Sequence, residues 1–334
     1  MVTPLLVANF SEQIGGGEIS LIELSEELIN RGHTPIIAIP GEGNLGRELE
    51  GKSKVKILPK NISSASLALR EIAKECDLIH TTGARGLVAA WLARTGKPLV
   101  WHVRVGARDK LDPILKMMPD LIIANSRCTA DRFSKKENVI VIPNGIKIPS
   151  KPAQTLNLNA NFKYIGVIAR MTPEKGHLDL LPAIKKLLSE RNDIAFFLAG
   201  NNQGSIGDEF RRLQKEFDEN RILMPGFISN IAEHLNEIDL IVIPSRIEGF
   251  GRVAVEAMLC GTPLLTRKVG GLIEVMEGLE DLFLPEEKEE WSERISKELD
   301  SPSKSKEELF TAGTRFSIEK HTDSILSAWS SLIK

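Results

Sequence analysis

The feature that most constrains the fold is an alternation of short apolar runs with amphipathic stretches. In the first 150 residues the apolar runs lie at 5–8, 34–39, 55–58, 77–80, 98–103, 120–124 and 139–142. Helix-like stretches lie between them, for example 17–30, 62–75, 84–95 and 126–133. Strands that are apolar on both faces and alternate with helices are typical of a parallel sheet covered on both sides. The first half is therefore predicted to be a doubly wound α/β domain.

The alternation stops once and then restarts. The segment PNGIKIPSKPAQTLNLNANFK, rich in Pro, Asn and Lys, precedes a second series of apolar runs at 164–170, 194–200, 221–226, 239–245, 262–266 and 281–285. A break in composition between two such series indicates a linker between domains. We predict two Rossmann-like domains facing a cleft, at 1–150 and 151–315, and a C-terminal helix at 316–334 that packs against the first domain.

Composition limits the possible classes of protein. The chain has 334 residues and a formal net charge of −2, divided as +4 over residues 1–150 and −6 over the rest, so a dedicated nucleic-acid binder is disfavoured. Cys76, Cys128 and Cys260 lie far apart, so neither a disulfide framework nor a zinc site is expected. The N-terminus lacks the features of a secretion signal, and no run of about 18 apolar residues occurs. We therefore expect a cytoplasmic protein that does not span a membrane.

Ligands of open α/β sheets bind beyond the carboxyl ends of the strands, where glycine-rich turns and helix N-termini offer free N–H groups. After the first strand, SEQIGGGEIS places Gly15, Gly16 and Gly17 before a helix, which permits a tight turn and close approach of an anion. The motif is not GxGxxG, and Glu42 lies well past the end of the next strand. A nicotinamide site is therefore disfavoured, and a plain flexible turn stays open.

The loop IARMTPEKGH, at the start of the second domain, carries two cations before a helix. Arg170 offers a planar fork of donors and Lys175 a mobile point charge, a combination suited to a pyrophosphate. The alternative is that the two side chains only cover the edge of the loop.

The stretch IEGFGRVAVEAMLCGTP follows another apolar run and carries two glutamates around a glycine turn. A helix is predicted to begin near Gly251, which puts Glu256 in its second turn among apolar residues. A carboxylate beside a helix N-terminus competes with phosphate, so a diol such as ribose is the expected partner of Glu256, and Glu248 could accept from another hydroxyl. Two solvated surface glutamates are the alternative. In RKVGGLIEV, Gly270 and Gly271 begin one more helix and form another candidate anion or hydroxyl site.

Taken together, GVIARMTPEKGH, AGN, PGF, IPSRIEGFGRVAVEAMLCGTP and GG with a following Glu resemble the donor-binding domain of the retaining GT-B glycosyltransferases of family four, the group 1 glycosyl transferases. In the first half, GGGE, DLIHTTG, HVR, ANS and PNG are similar, in the same order, to the acceptor-side domain of that family. The likeness covers nearly the whole chain. Its most specific part is the spacing from Glu248 to Glu256.

The resemblance implies roles for the residues of the second domain. Arg170 and Lys175 would hold the donor diphosphate, and Glu256 would bind the ribose hydroxyls. Glu248 would contact the donor sugar. The resemblance implies further donor contacts from backbone groups, at Phe250, Gly251, Gly270 and Gly271.

In the first domain the resemblance implies two contacts. Gly15 and Gly16 would line the donor phosphate and the acceptor, and His102 would lie beside the sugar as a catalytic residue. The activity implied is retaining transfer of a hexose from a nucleotide-diphosphate sugar to a hydroxyl of a sugar, glycan or lipid-linked acceptor in cell-surface polysaccharide synthesis. An epimerase of the same architecture and a non-catalytic nucleotide-sugar binder are the alternatives.

The implied mechanism uses electrostatic stabilisation. Loss of the nucleoside diphosphate leaves an oxocarbenium-like sugar, and Arg170, Lys175 and helix N-termini offset the charge on the phosphates. The acceptor hydroxyl would attack the face that the leaving group vacates. No Asp-x-Asp motif occurs, so neither a bound metal nor another cofactor is expected.

Two arginines stand out against the family pattern. Arg252 lies where the family commonly has an aliphatic residue, and Arg246 lies just before the EGFG motif. Each either binds an acidic substrate group or extends its charge to solvent along an apolar stem, and we expect the second.

A basic and apolar segment suggests contact with a membrane surface. Residues 85–136 hold eleven Lys and Arg against four Asp and Glu. Within them, residues 104–118 include the stretch DPILKMMPD, where apolar side chains adjoin Lys110 and Lys116. This segment could dock on anionic lipid. A solvated basic helix with its apolar side packed inward is the alternative.

Overall fold

The computed structural model describes residues 1–12, 14–133, 138–150 and 155–333. The chain divides into two compact units, unit 1 with Met1–Lys147 and Phe316–Lys334, and unit 2 with Ile148–Arg315. Part of the predicted linker, residues 151–154, lies outside the described residues. Among the residues that are described, no helix is long and apolar enough to cross a bilayer.

Unit 1 contains a seven-stranded parallel sheet in the order β3-β2-β1-β4-β5-β6-β7. Its strands are β1 Pro4–Val7, β2 Ile36–Pro40, β3 Lys54–Leu58, β4 Leu78–Thr81, β5 Leu99–Val103, β6 Leu121–Ala124 and β7 Val139–Val141. Its first six α-helices are α1 Gly16–Asn30, α2 Asn44–Glu48, α3 Ile62–Ile72, α4 Ala84–Ala93, α5 Asp112–Leu115 and α6 Arg127–Ala130. The strand order reverses at β1, so the loop after β1 opens at a topological switch point.

Unit 2 contains a five-stranded parallel sheet in the order β10-β9-β8-β11-β12. Its strands are β8 Lys163–Ile168, β9 Ile194–Ala199, β10 Ile222–Gly226, β11 Leu240–Ile243 and β12 Leu264–Thr266. Its helices are α7 His177–Glu190, α8 Ser205–Glu216, α9 Arg252–Cys260, α10 Leu272–Val275, α11 Trp291–Asp300 and α12 Lys306–Gly313. The switch point lies between β8 and β11, and the prediction of two doubly wound α/β domains is confirmed.

The cores explain why the apolar runs are continuous. In β1, Leu5 and Val7 pack in a cluster on one face of the sheet, and Leu6 packs in a separate cluster on the other. Successive side chains of a strand point to opposite faces, so a strand covered on both sides must be apolar throughout. The last helix, α13 (Ile318–Ser330), belongs to unit 1 and places the fully buried Trp329 in the cluster of Leu6.

One predicted strand is wrong. The run at 281–285 forms only an isolated bridge between Phe283 and Thr266, and a 3₁₀ turn at Glu280–Leu282 precedes it. Pro285 has no N–H with which to extend the pairing. An apolar run of this length predicts burial, but it does not decide between a strand and a buried turn.

Candidate functional site

Three loops of unit 2 are hydrogen-bonded to one another at the carboxyl edge of its sheet. The loop after β11 donates from the Arg246 backbone N–H to the Glu174 carbonyl oxygen of the loop after β8, at 2.8 Å. The loop after β12 donates from the Gly271 backbone N–H to the Glu248 carbonyl oxygen, at 2.9 Å. Motifs that are up to 100 residues apart in the sequence therefore meet at the switch point of this sheet.

The paired glycines before α10 are required by this close approach. Gly270 has a φ of +51°, and a Cβ at this position would lie 2.1 Å from the Glu248 carbonyl oxygen. A Cβ on Gly271 would lie 2.3 Å from the Gly249 carbonyl oxygen. Any side chain here would push the two loops apart. The glycines thus bring the backbone of the EGFG motif against the start of α10, and their predicted contact with a donor stays a prediction.

Lys175 and Glu248 form an ion pair at the centre of these loops. Lys175 Nζ lies 2.8 Å from Glu248 Oε2, and the two side chains are 22% and 17% exposed. Lys175 ends a 3₁₀ turn, Pro173–Lys175, and Gly176 follows with a φ of +73°. The residue predicted to hold a phosphate and the residue predicted to hold a sugar are therefore direct neighbours.

Arg170 differs from Lys175 in its surroundings. Its side chain is exposed, and within the described part of the chain it forms no ion pair or side-chain hydrogen bond. It lies two residues beyond the end of β8, at the same edge of the sheet as Lys175. Arg170 is therefore open to an incoming anion, whereas Lys175 is held by the carboxylate of Glu248.

Glu256 lies in the second turn of α9, whose N-cap is Gly251, as the sequence predicts. It is 6% exposed, so the alternative of a solvated surface glutamate is wrong. Arg252, one turn earlier, donates from Nε and Nη2 to Glu256 Oε1 at 3.1 and 2.9 Å. The Arg252 side chain is 10% exposed, so our expectation that it extends to solvent is also wrong. Phe250, just before the helix, is 4% exposed.

Arg246 is 49% exposed, but its charge is not simply solvated. Its guanidinium binds both carboxylate oxygens of Asp179, each at 2.7 Å. This pair was not predicted, because the two residues are 67 positions apart and Asp179 lies outside the motifs.

In unit 1, Gly15 and Gly16 lie at the exposed start of α1. The Gly15 N–H donates to Glu18 Oε2 at 3.1 Å, so the glutamate of the GGGE motif caps its own helix. Gly15 has a φ of −117°, and a Cβ on Gly17 would meet nothing within 4 Å. The packing of unit 1 therefore leaves room for a side chain at position 17. Their predicted contact with a donor phosphate or an acceptor stays a prediction.

His102, predicted to lie beside the sugar as a catalytic residue, is a buried side chain. His102 lies inside β5 and is 0% exposed, because its side chain shares the interior with His80 and Trp329. Its Nδ1 lies 3.2 Å from His80 Nε2, and Trp329 Nε1 donates to His80 Nδ1 at 3.2 Å. Burial holds the pKa of both imidazoles well below the ordinary value. The predicted role of His102 beside the sugar stays a prediction.

Arg104, which the sequence analysis did not single out, stands at the end of the same strand. Its Nη1 donates to the Gly17 carbonyl oxygen at 2.7 Å, and its Nη2 lies 3.3 Å from His102 Nδ1. The strand end and the first turn of α1 are thus joined by a cation. The signals in the sequence are its place in the HVR segment and its position directly after a predicted strand.

No group of three or more His, Cys, Asp or Glu side chains within the described ranges could hold a metal ion.

Two family models match the chain. The model of the group 1 glycosyl transferases matches residues 151–332, which is more than half of the chain. The model of Glycosyltransferase Family 4 matches residues 14–148.

Named relatives and solved structures agree with the family models. The chain is 28% identical over 165 residues to the D-inositol 3-phosphate glycosyltransferase of Corynebacterium jeikeium. The aligned part covers 46% of this chain and only 39% of that protein. It is 26% identical over 312 residues to the lipopolysaccharide core biosynthesis mannosyltransferase LpsB of Rhizobium meliloti, covering 82% of this chain and 80% of that protein. The crystal structure of Anabaena Alr3699/HepE in complex with UDP-glucose matches with a TM-score of 0.84 and 25% identity, over 98% of this chain and all of that one.

Proposed function

Since the chain belongs to the group 1 glycosyl transferases, matched over residues 151–332, we propose that it moves a hexose-type sugar, with retention, from a nucleotide-diphosphate donor to a hydroxyl group. The acceptor is a sugar, a glycan or a lipid-linked sugar, and the pathway is cell-surface polysaccharide synthesis in the cytoplasm. The relatives' names, an inositol phosphate glycosyltransferase and a lipopolysaccharide core mannosyltransferase, support a hydroxyl acceptor of this kind.

The observation that carries the proposal is the contact between Lys175 and Glu248 beside the exposed Arg170. A diphosphate that binds at Arg170 competes with Glu248 for the ammonium of Lys175, since phosphate accepts from both cations. Displacing Glu248 frees its carboxylate to accept from a sugar hydroxyl next to the phosphates. Binding of the leaving group and recognition of the sugar are then coupled through this pair, whose charged atoms lie 2.8 Å apart.

The chemistry proposed for this site is stabilisation of the departing diphosphate. As the bond between the sugar and the phosphate breaks, negative charge grows on the phosphate oxygens, and Arg170 and Lys175 would offset it. The ribose behind the phosphates donates its hydroxyls to Glu256. The acceptor hydroxyl attacks the face that the leaving group vacates and passes its proton to the phosphate. Because two cations offset the charge, we propose that no metal is required.

Incubation with a panel of nucleotide sugars tests the proposal. UDP-glucose, the ligand in the HepE structure, is tried first, followed by GDP and ADP sugars. We expect slow release of nucleoside diphosphate from one donor, with undiminished release in EDTA. A 2-epimerised product would point to an epimerase, and binding without turnover to a non-catalytic binder. Either outcome would refute the proposed transferase activity.

Membrane contact through residues 104–118 is a second element of the proposed function. This segment exposes four large apolar side chains, each more than half exposed, at Val105, Leu111, Ile114 and Met117. Leu115 is buried, and Asp112 forms a buried ion pair with Arg132 at 2.6 Å, so the segment is anchored to unit 1 while its apolar tips face outward. The alternative of an inward-packed helix is therefore disfavoured. Two of the cations counted earlier, Lys135 and Lys136, lie outside the described residues.

Sedimentation with vesicles tests the membrane contact. The protein is expected to pellet with phosphatidylglycerol vesicles at low ionic strength, and less at high ionic strength, because screening weakens the attraction between lysines and anionic lipid. An Ile114→Ser/Met117→Ser double variant is expected to stay in the supernatant. Leu67→Ser, at a 68% exposed leucine of α3, is the matched control and should pellet like the wild type. No pelleting of the wild type would refute the contact.

A further inference from the structure

A cluster of four charged side chains, the Asp179 cluster, lies in unit 2 and plays no part in the proposed transfer. Arg246 binds Asp179 through two bonds of 2.7 Å, Arg267 Nη1 donates to the same carboxylate at 2.9 Å, and Lys288 Nζ donates at 2.5 Å. The four residues come from the first turn of α7, the loops after β11 and β12, and a 3₁₀ turn before α11. Three cations therefore share one carboxylate, which leaves a formal charge of +2.

The cluster presents its positive groups to solvent. The Asp179 side chain is 5% exposed, whereas those of Arg246, Arg267 and Lys288 are 49%, 29% and 41% exposed. The carboxylate lies beneath the cations, and the cations hold its pKa well below the ordinary range. A ligand that approaches from solvent meets N–H donors first.

The donors are held in place and are only partly used. The Arg267 guanidinium lies 5.8 Å from the ring centroid of Trp291, which is 1% exposed and donates from Nε1 to the Pro285 carbonyl oxygen. The Arg246 backbone is fixed by its bond to Glu174. Among the described residues, Arg246 Nη1 and Arg267 Nε and Nη2 have no protein partner. Such preorganised guanidinium forks match the geometry of a phosphate.

The formal charge of +2 of the Asp179 cluster is not explained by a basic composition of unit 2. Residues 148–315 hold 21 Lys and Arg against 27 Asp and Glu, so unit 2 is acidic as a whole. A concentrated positive site in an acidic unit is costly through repulsion between its cations, and a bound anion relieves that repulsion.

We propose that the Asp179 cluster is a binding site for a phosphate dianion, separate from the donor site. The phosphate is either the phosphoryl group of a phosphorylated sugar substrate or free inorganic phosphate. Both sources offer the same oxygens to Arg246, Arg267 and Lys288. The site is defined by its own four residues and does not depend on the proposed transferase activity.

Titration calorimetry tests the site, using inorganic phosphate and glucose 6-phosphate as probes. The parent for all variants carries Arg170→Gln and Lys175→Gln. These changes remove the two cations that are predicted to hold the donor diphosphate, so phosphate binding at the donor site does not contribute to the signal. We expect both probes to bind this parent and to bind at least tenfold more weakly after Arg246→Gln/Arg267→Gln. Tighter binding of glucose 6-phosphate than of phosphate assigns the site to a phosphorylated sugar, and equal or weaker binding assigns it to free phosphate.

Two further variants keep the test decisive. Lys288→Gln removes a half-exposed cation that contributes little to the core, and is expected to weaken binding even if the double arginine variant fails to fold. Lys185→Gln, at an exposed lysine of α7 that lies 3.5 Å from Glu216, is the matched control and should bind like the parent. Absence of binding to the parent, or binding that survives Lys288→Gln and the double variant alike, overturns the proposal.

Discussion

A Lys175→Met variant is expected to lose about 10- to 100-fold in kcat/KM with whichever donor the wild type uses. Methionine keeps the length and apolar stem of lysine but removes the ammonium. Hydrogen bonds to charged groups contribute about 1.5–3 kcal/mol, and each 1.4 kcal/mol is about tenfold in rate. The loss should fall on kcat as well as KM, because the charge on the phosphate grows as the sugar leaves.

The variant also leaves Glu248 without the partner that lies 2.8 Å away in the wild type. A half-buried, unpaired carboxylate lowers stability, so thermal unfolding is measured beside the kinetics. A Lys175→Met/Glu248→Gln variant removes both charges and separates the two effects. Lys185→Met, at an exposed position of α7, is the matched control with unchanged kinetics. If the Lys175→Met variant kept the kcat/KM of the wild type, the assignment of Lys175 to the site would be wrong.

A Glu256→Gln variant is expected to weaken donor binding by more than tenfold and to lose its preference for ribose. A carboxylate accepts from both hydroxyls of a diol, whereas an amide of the same shape has only one accepting atom. Wild-type protein should therefore bind a 2′-deoxynucleotide more weakly than the ribonucleotide. The Glu256→Gln variant should bind the two almost equally. This comparison separates recognition of ribose from a general loss of structure.

Two neighbouring changes serve as controls for Glu256. Arg252→Leu restores the aliphatic residue common in the family and leaves the 6% exposed Glu256 without its guanidinium, so we expect a lower melting temperature with the ribose preference retained. Glu298→Gln removes a similarly buried carboxylate, paired with Arg294 at 2.9 Å in α11, and should lower stability without changing nucleotide binding. A Glu256→Gln variant that still prefers ribose would contradict the assignment.

The sequence predicts the fold well because the central strands of both sheets are covered on both faces. Such strands must be apolar throughout, as in β1, and the runs stand out from the amphipathic helices between them. The strand predicted at 281–285 shows the limit of this inference. Leu282 to Pro285 are buried or half-buried, but the bridge at Phe283 is not extended to its neighbours, which local composition does not reveal.

The candidate site was predictable where residues lie within one loop or helix. Arg252 and Glu256 are four residues apart, a spacing that brings side chains together on a helix, so their pair could have been read from the sequence. His102 lies within an apolar run, which indicates burial, whereas its catalytic role is implied by the family resemblance alone and stays a prediction. The Asp179 cluster could not be predicted, because its members come from four separate elements and only the fold brings them together.

We propose that the loops after β8 and β11, with the start of α9, hold a nucleoside diphosphate. Calorimetric titration of UDP, GDP and ADP into the wild type and into a Lys175→Met/Glu256→Gln variant measures this directly. We predict that one of the three binds the wild type at a single site and binds the folded double variant at least 100-fold more weakly, since the two changes remove the predicted phosphate and ribose contacts. If none of the three binds the wild type, or if binding to the double variant is undiminished, these loops are not a nucleoside diphosphate site.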